Sequence, residues 1–173
     1  LSNILAAFSI HNVNANAGII VDQYMVSEAR LEDIRRSMMN IHRLALSHIV
    51  AADHTTMIKL VKEIKAEEAS LDEKLEEYAG FVAREDQETY ATLLDAYDSF
   101  KHSLVFLVCA SADSKTQEAY AMANGDVALW SGNAEENINT LYTSVSTQAK
   151  AARSRLTVVY FISLFTSAAT LTA

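Results

Sequence analysis

LEDIRRSMMNIHRLALSHIV, residues 31–50, is the stretch that decides the fold. Leu31, Ile34, Met38, Ile41, Ala45 and His48 fall alternately three and four residues apart. On a helix of about 3.6 residues per turn that step holds a stripe on one face, and its repeat every seven residues is the seam of a left-handed helix bundle. The step extends upstream through Ile10, Val13, Ala17, Ile20, Tyr24 and Ser27 and downstream to Ala52. It predicts one helix from near residue 3 to about residue 52.

Three further segments repeat the pattern. AADHTT (51–56) reads as a turn, with Asp53 or Thr55 available as an N-cap. A second helix follows over about 56–83, with Met57, Leu60, Val61, Ile64, Leu71, Leu75, Tyr78 and Val82 on its apolar face. Its other face, KEIKAEEASLDEKLEE, carries Glu and Lys at helical spacings and reads as a solvated surface. After the turn AREDQE (83–88), Tyr90, Leu93, Tyr97, Phe100, Leu104, Leu107 and Ser111 mark a third helix without a break. ASADSK (110–115) ends it, and Ser114 with Gln117 matches a capping box opening a fourth helix over about 116–153. Its stripe is Tyr120, Ala123, Val127, Trp130, Ala134, Ile138, Leu141, Val145, Gln148 and Ala152. Gly125 and Gly132 lie inside it. Each costs about 1 kcal/mol against Ala, so each marks either a bend or a close helix contact.

Short turns make consecutive helices antiparallel neighbours. The expected architecture is all-α, an up-down-up-down antiparallel four-helix bundle whose first and fourth helices are the longest. Composition agrees: the 173 residues include no Pro and four Gly, and half are hydrophobic. The net charge of −8 argues against a nucleic-acid partner, which requires a basic face. The single Cys109 rules out an internal disulfide and, flanked by Leu107, Val108 and Ala110, reads as a small core residue.

The ends differ from the middle. Every Asp, Glu, Lys and Arg lies between Asp22 and Arg155. From Leu156 the chain reads LTVVYFISLFTSAATLTA, close to the roughly 20 residues that span a bilayer core. Tyr160 and Phe161 stand near its charged boundary, as interfacial aromatics do. The first 21 residues are also uncharged, though His11, Asn12, Asn14 and Asn16 interrupt them. The expected division is therefore 1–21 as the outer end of a membrane helix, 22–155 as a folded bundle and 156–173 as the start of a second membrane helix. A start without Met and a stop inside an apolar run read as a piece of a longer protein.

No inward Glu-x-x-His pairs, haem attachment motif, zinc motif, phosphate loop, nucleophile elbow or calcium loop occurs. No catalytic residue, metal site or cofactor is expected, although an absorption spectrum of the purified protein would reveal a bundle haem. Arg30, Arg35, Arg36 and Arg43 cluster on the first helix and either hold an acidic ligand or pair with surface Glu. His48, on the seam, is a hydrogen-bonded core residue or a site residue. Asp98 and His102 are spaced for a carboxylate–imidazole pair.

The whole plan resembles the four-helix-bundle sensor domain of methyl-accepting chemotaxis proteins, the bacterial chemoreceptors. LEDIRRSMMNIHRLALSHI, LDEKLEEYAGFV, YATLLDAYDSF, the Lys-Thr-Gln-Glu-Ala opening of helix four and the apolar run from 156 carry the likeness. It implies a domain outside the inner membrane, facing the periplasm or cell exterior, that forms a homodimer along helix one and is anchored in the membrane at both ends. It also implies a distal small-molecule site and a small displacement of helix four that drives a cytoplasmic signalling module. The same bundle serves as the sensor of a histidine kinase or diguanylate cyclase, and a purely structural or interaction bundle is the other alternative. Aspartate- and serine-sensing relatives place paired arginines in the last three turns of helix one, where this chain has only Arg43, with His42, Ser47 and His48 nearby. The acidic-amino-acid pocket does not carry over. Arg43, His48, Tyr120 and Asn124 are the residues expected at a distal ligand site.

Overall fold

The computed structural model describes the backbone of residues 2–171 and the side-chain surroundings of residue 18 and residues 22–165. Among the described residues there is no strand. Five α-helices follow in order: α1 (Ser2–Ile49), α2 (His54–Ala79), α3 (Gln87–Ala112), α4 (Thr116–Met122) and α5 (Ala128–Leu171). A 3-10 turn at Arg84–Asp86 precedes α3, and a π-helical turn at Ala123–Val127 joins α4 to α5. The expected fourth helix is thus α4, the π turn and α5 together.

Residues 29–142 form one compact unit, and residues 1–28 with 143–173 form another. Within the first unit, side-chain contacts fix the topology. Arg30 meets Glu77, and Asn40 donates to Glu67 at 2.9 Å, so α1 and α2 run in opposite directions. Tyr90 Oη donates to the Leu75 carbonyl at 2.7 Å and Tyr97 Oη to the Glu68 carbonyl at 3.2 Å, which sets α3 antiparallel to α2. His42 packs edge-on against Phe100 and His48 reaches Ser111, so α1 and α3 are parallel. Arg35 on α1 meets Glu135 and Asn139 on α5. The core is the predicted seam: Leu31, Ile34, Ile41, Ala45, Leu71, Phe100, Leu107, Val127 and Ala134 are fully buried. Tyr97 keeps its hydroxyl proton far above the ordinary range, first because it is buried and then because Asp72 and Glu68 lie near.

In the second unit, Ser27 and Val145 are buried. Along α5, Val158, Val159, Tyr160, Phe161, Ile162, Leu164 and Phe165 are all exposed, by 42–78%. The first expected membrane segment, 1–21, lies outside the described side chains apart from residue 18, as do residues 166–173 of the second. Among the described residues no helix is long and apolar enough to cross a membrane, so the membrane extension of the first and last helices is not shown.

The turns explain where the helices stop. Asp53 caps α2: its carboxylate accepts from Thr56 N and from Thr56 Oγ1, both at 2.8 Å. The first of these bonds chiefly holds the Asp53 carboxyl below its usual range. The capping box expected at Ser114 does not form. Lys115 is the N-cap of α4 and makes no side-chain capping bond. Ser114 instead closes α3, with φ of 61°. Lys115 N donates to the Ala110 carbonyl at 2.9 Å and Ser114 N to the Ser111 carbonyl at 3.1 Å. Those two bonds define a Schellman closure, whose left-handed position usually holds Gly. A serine there carries a Cβ against the preferred handedness at a cost of roughly 1–2 kcal/mol. We expect Ser114→Gly to raise the midpoint of thermal unfolding, by about 1 kcal/mol of stability, with no change in helix content by circular dichroism.

Two further expectations are corrected. Cys109 is exposed, because Leu104, Leu107 and Ser111 take the inward positions of α3 and leave Val105, Phe106 and Cys109 on the outside. Tyr120, expected on the seam, is 43% exposed, and Ala119 is buried in its place. The π turn is the reason. Buried positions run Ala119, Ala123, Val127, then Ala134, Ile138, Leu141 and Val145. From Val127 onward the spacing follows a heptad, but Ala119–Ala123–Val127 takes two steps of four. One residue too many for a heptad is absorbed where the helix widens, and every buried position before it falls one residue earlier than a heptad predicts. The backbone leaves helical geometry at Gly125, with φ −97° and ψ −109°. Gly125 therefore marks the break in the helix, whereas Gly132 sits in the regular helix α5 with open space around it.

Candidate functional site

The arginines of α1 are not equivalent. Arg30 pairs with Glu77 and lies 5.0 Å over the ring of Phe81. Arg36 pairs with Asp33 at 3.4 Å on the surface. Arg35 is held by Glu32 at 2.9 Å and Glu135 at 3.4 Å, and it also donates to Asn139. Arg43 donates only to a neutral amide: its Nε and Nη2 reach Asn40 Oδ1 at 3.3 and 2.8 Å. Among the described residues no carboxylate pairs with Arg43. Three of the four arginines are thus neutralised as surface pairs, and one keeps a guanidinium fork without a counter-charge.

Arg43 stands at a cleft of about 290 Å³ between α1 and α5. Arg35, Met38, Met39, His42, Arg43 and Leu46 line it from α1, and Ser131, Glu135 and Ile138 from α5. Met38 and Ile138 are buried and form its floor, while Met39 and Leu46 stand exposed at its edge. His42 is half-buried, its ring edge-on to Phe100 at 6.3 Å. Burial pushes its pKa down, which keeps the imidazole neutral near pH 7. A second hollow of about 280 Å³, between α1 and α2, is lined by Arg30, Asp33, Ser70, Glu73, Lys74 and Glu77. It is a basin of mixed charge with no apolar lining residue.

His48, Tyr120 and Asn124 are not among the residues lining the Arg43 cleft. Tyr120 and Asn124 are exposed around the π turn, and Asn124 Nδ2 donates to the Tyr120 carbonyl at 2.9 Å. His48 is buried between α1 and α3. Ser111 Oγ donates to the His48 carbonyl at 3.1 Å. Its one proton being committed there, the hydroxyl accepts from His48 Nδ1–H at 2.9 Å. The Asp98–His102 pair does not form: Asp98 pairs with Lys101 at 3.1 Å, and His102 turns its ring edge-on to Phe106.

Burial also depresses the His48 pKa. The sign of the pH effect follows. Above the ordinary imidazole value of about 6.5 neither state carries the charge, and stability is full. As pH falls below it, the unfolded chain takes a proton that the folded one resists, so stability declines. The urea midpoint should drop between about pH 7 and 5, and His48→Gln should flatten that slope, the remainder coming from His42. Ser111→Ala leaves the His48 Nδ1–H buried without its partner, while the His48 carbonyl keeps the Ala51 N–H at 3.4 Å. It should cost about 1–3 kcal/mol at neutral pH by urea unfolding.

Sequence reading named Arg43, Arg35 and His42 but did not bring them together with Ser131 and Glu135 of α5. A signal was present: Met25, Ala29, Glu32, Arg36, Met39, Arg43, Leu46 and Val50 form a second three-four stripe on α1, and all are exposed. A seam that faces away from its own bundle marks a face with another purpose.

Among the described residues the chain is an all-helical bundle with an apolar, cation-edged cleft between its first and last helices. A comparison with protein-family models agrees. Residues 2–160 match the model described as a four helix bundle sensory module for signal transduction, and the chain belongs to that family. A search of curated proteins finds no match.

Proposed function

We propose that this chain is the ligand-sensing domain of a transmembrane chemoreceptor, set outside a bacterial inner membrane and without catalytic activity of its own. A small molecule binds the bundle, and a small displacement of the α4–α5 helix carries the event to a cytoplasmic signalling module. The observation that carries the reading is the cleft. It opens between α1 and α5, and α5 is the helix that continues into the apolar run from Leu156. The exposed apolar side chains from Val158 to Phe165 support a lipid-facing role for that run. The outward stripe from Met25 to Val50 supports a homodimer along α1, because a three-four seam buries itself against a copy of itself.

The test is a thermal-shift screen of the purified chain against amino acids, organic acids, sugars and amines. A ligand present at 100 times its Kd stabilises by about 2.7 kcal/mol. At least one chemical class should raise the melting temperature saturably; a flat response across the whole library would contradict sensing by direct binding.

A further inference from the structure

We propose that Lys150, Arg153 and Arg155 form a cationic collar on α5 that binds the anionic phospholipid headgroups of a bilayer surface. The proposal rests on the lipid-facing reading of the run from Leu156 and names the lipid charge which that run meets. After Glu136 the sequence holds no acidic residue, and these three are its only Lys or Arg. All three are exposed, and among the described residues none of them forms an ion pair. Asp22 and Glu28, on α1, are the acids of the same compact unit, and neither pairs with the collar. In a chain whose net charge is −8, three cations without a counter-charge stand together at the edge of an apolar run. That arrangement complements a negatively charged surface with an apolar interior.

Helix geometry favours a lipid layer over a protein partner. At about 1.5 Å per residue, Lys150 to Arg155 covers about 7–8 Å of the axis, close to the roughly 5–8 Å of headgroup layer on each side of a bilayer core. Lys150 and Arg153 are three residues apart and share a side of α5, whereas Arg155, two residues on, is turned about 160° from Arg153. A protein partner reads one face of a helix, but a headgroup layer meets it from several sides at one depth. The apolar run has the same character: from Val158 to Phe165 every side chain except Ser163 is exposed. Tyr160 and Phe161, edge to face, follow within two turns of the collar, where interfacial aromatics sit. Lys and Arg lay their apolar stems along such a run and keep the charged end in the wet layer. The collar thereby fixes the depth at which α5 enters the surface.

The experiment sediments the chain with sucrose-loaded vesicles of phosphatidylcholine alone or mixed with one-third phosphatidylglycerol. A basic residue near an anionic surface strengthens binding about fivefold, so three give roughly a hundredfold. The chain should prefer the anionic vesicles at least tenfold at low salt. That preference should fall as salt shortens the screening length from about 10 Å at 0.1 M to about 3 Å at 1 M. Replacing the collar together, Lys150→Gln, Arg153→Gln and Arg155→Gln, should make binding to the two compositions equal. Arg153→Lys with Arg155→Lys keeps the charges and should keep the preference. Lys59→Gln, Lys62→Gln and Lys115→Gln together remove the same charge from the other compact unit and should leave the preference intact. Circular dichroism confirms that each variant is folded. An undiminished preference in the collar variant overturns the proposal. So does displacement by inorganic phosphate beyond that by chloride at equal ionic strength, which would mark a site for the free anion. If the unaltered chain binds both compositions equally, the collar is wrong and the lipid-facing reading stands. If it binds neither, both fail.

Discussion

Deleting Gly125 should leave the bundle folded with its stability unchanged within about 1 kcal/mol, whereas deleting Gly132 should cost at least about 2–3 kcal/mol. Each deletion turns the chain on one side of it by about 100° relative to the other. At Gly125 that turn removes a surplus. The buried positions Ala119, Ala123, Val127, Ala134, Ile138 and Leu141 become a continuous three-four series once one residue leaves the π turn. At Gly132 the helix is already regular, so the deletion creates a mismatch. Even if the π turn tightens to absorb it, Val127, fully buried, rotates toward solvent, and exposing such a side chain costs about 1.5–3 kcal/mol. Without that adjustment Ala119 and Ala123 are lost to the core as well. Urea unfolding with Trp130 fluorescence as the probe separates the two outcomes. Equal destabilisation by both deletions would show that the π turn is not a surplus residue.

Phe100→Ala should lower stability by about 3–5 kcal/mol, the range for removing a buried aromatic ring. Phe100 is fully buried on α3, and its ring contacts the imidazole of His42 on α1. The loss combines transfer of the ring to water with a cavity that neighbouring helices only partly fill. Against a typical total of about 5–15 kcal/mol it is a large share. A second reading follows from the same contact. Burial is what depresses the His42 pKa, so opening the cavity beside it should return that pKa toward the ordinary value. Nuclear magnetic resonance titration of the His42 ring checks this independently of unfolding. A loss below about 1 kcal/mol with an unmoved His42 would place the core elsewhere.

The bundle was legible because its signal is periodic and its turns are short. Leu31 to His48 on α1 and Tyr90 to Ser111 on α3 are buried as their spacing requires. What the heptad could not show was its own interruption. A π turn leaves no composition signature beyond an extra residue, so the spacing places Tyr120 in the core where the fold buries Ala119. The cap at Ser114 failed for a related reason: Ser114 and Gln117 match a capping box, but the chain needed a left-handed residue to reverse direction after α3, and Ser114 was spent there. His48 is buried as its seam position requires, and its bond to Ser111, on another helix, is a contact that no spacing shows. The cleft was hidden because ion pairing decides it. Four arginines look alike in a string of letters, and only the fold assigns carboxylates to Arg30, Arg35 and Arg36 while leaving Arg43 with Asn40.

Sensing requires that a bound ligand move the last helix. The direct measurement is the distance between spin labels at Asp95→Cys on α3 and Glu136→Cys on α5, both exposed positions, with Cys109→Ser to remove the exposed native thiol. With the ligand found in the thermal screen at saturation, the distance should shift by about 1–2 Å, the scale of helix displacements in switching proteins. A saturating ligand that leaves the distance distribution unchanged would contradict the account.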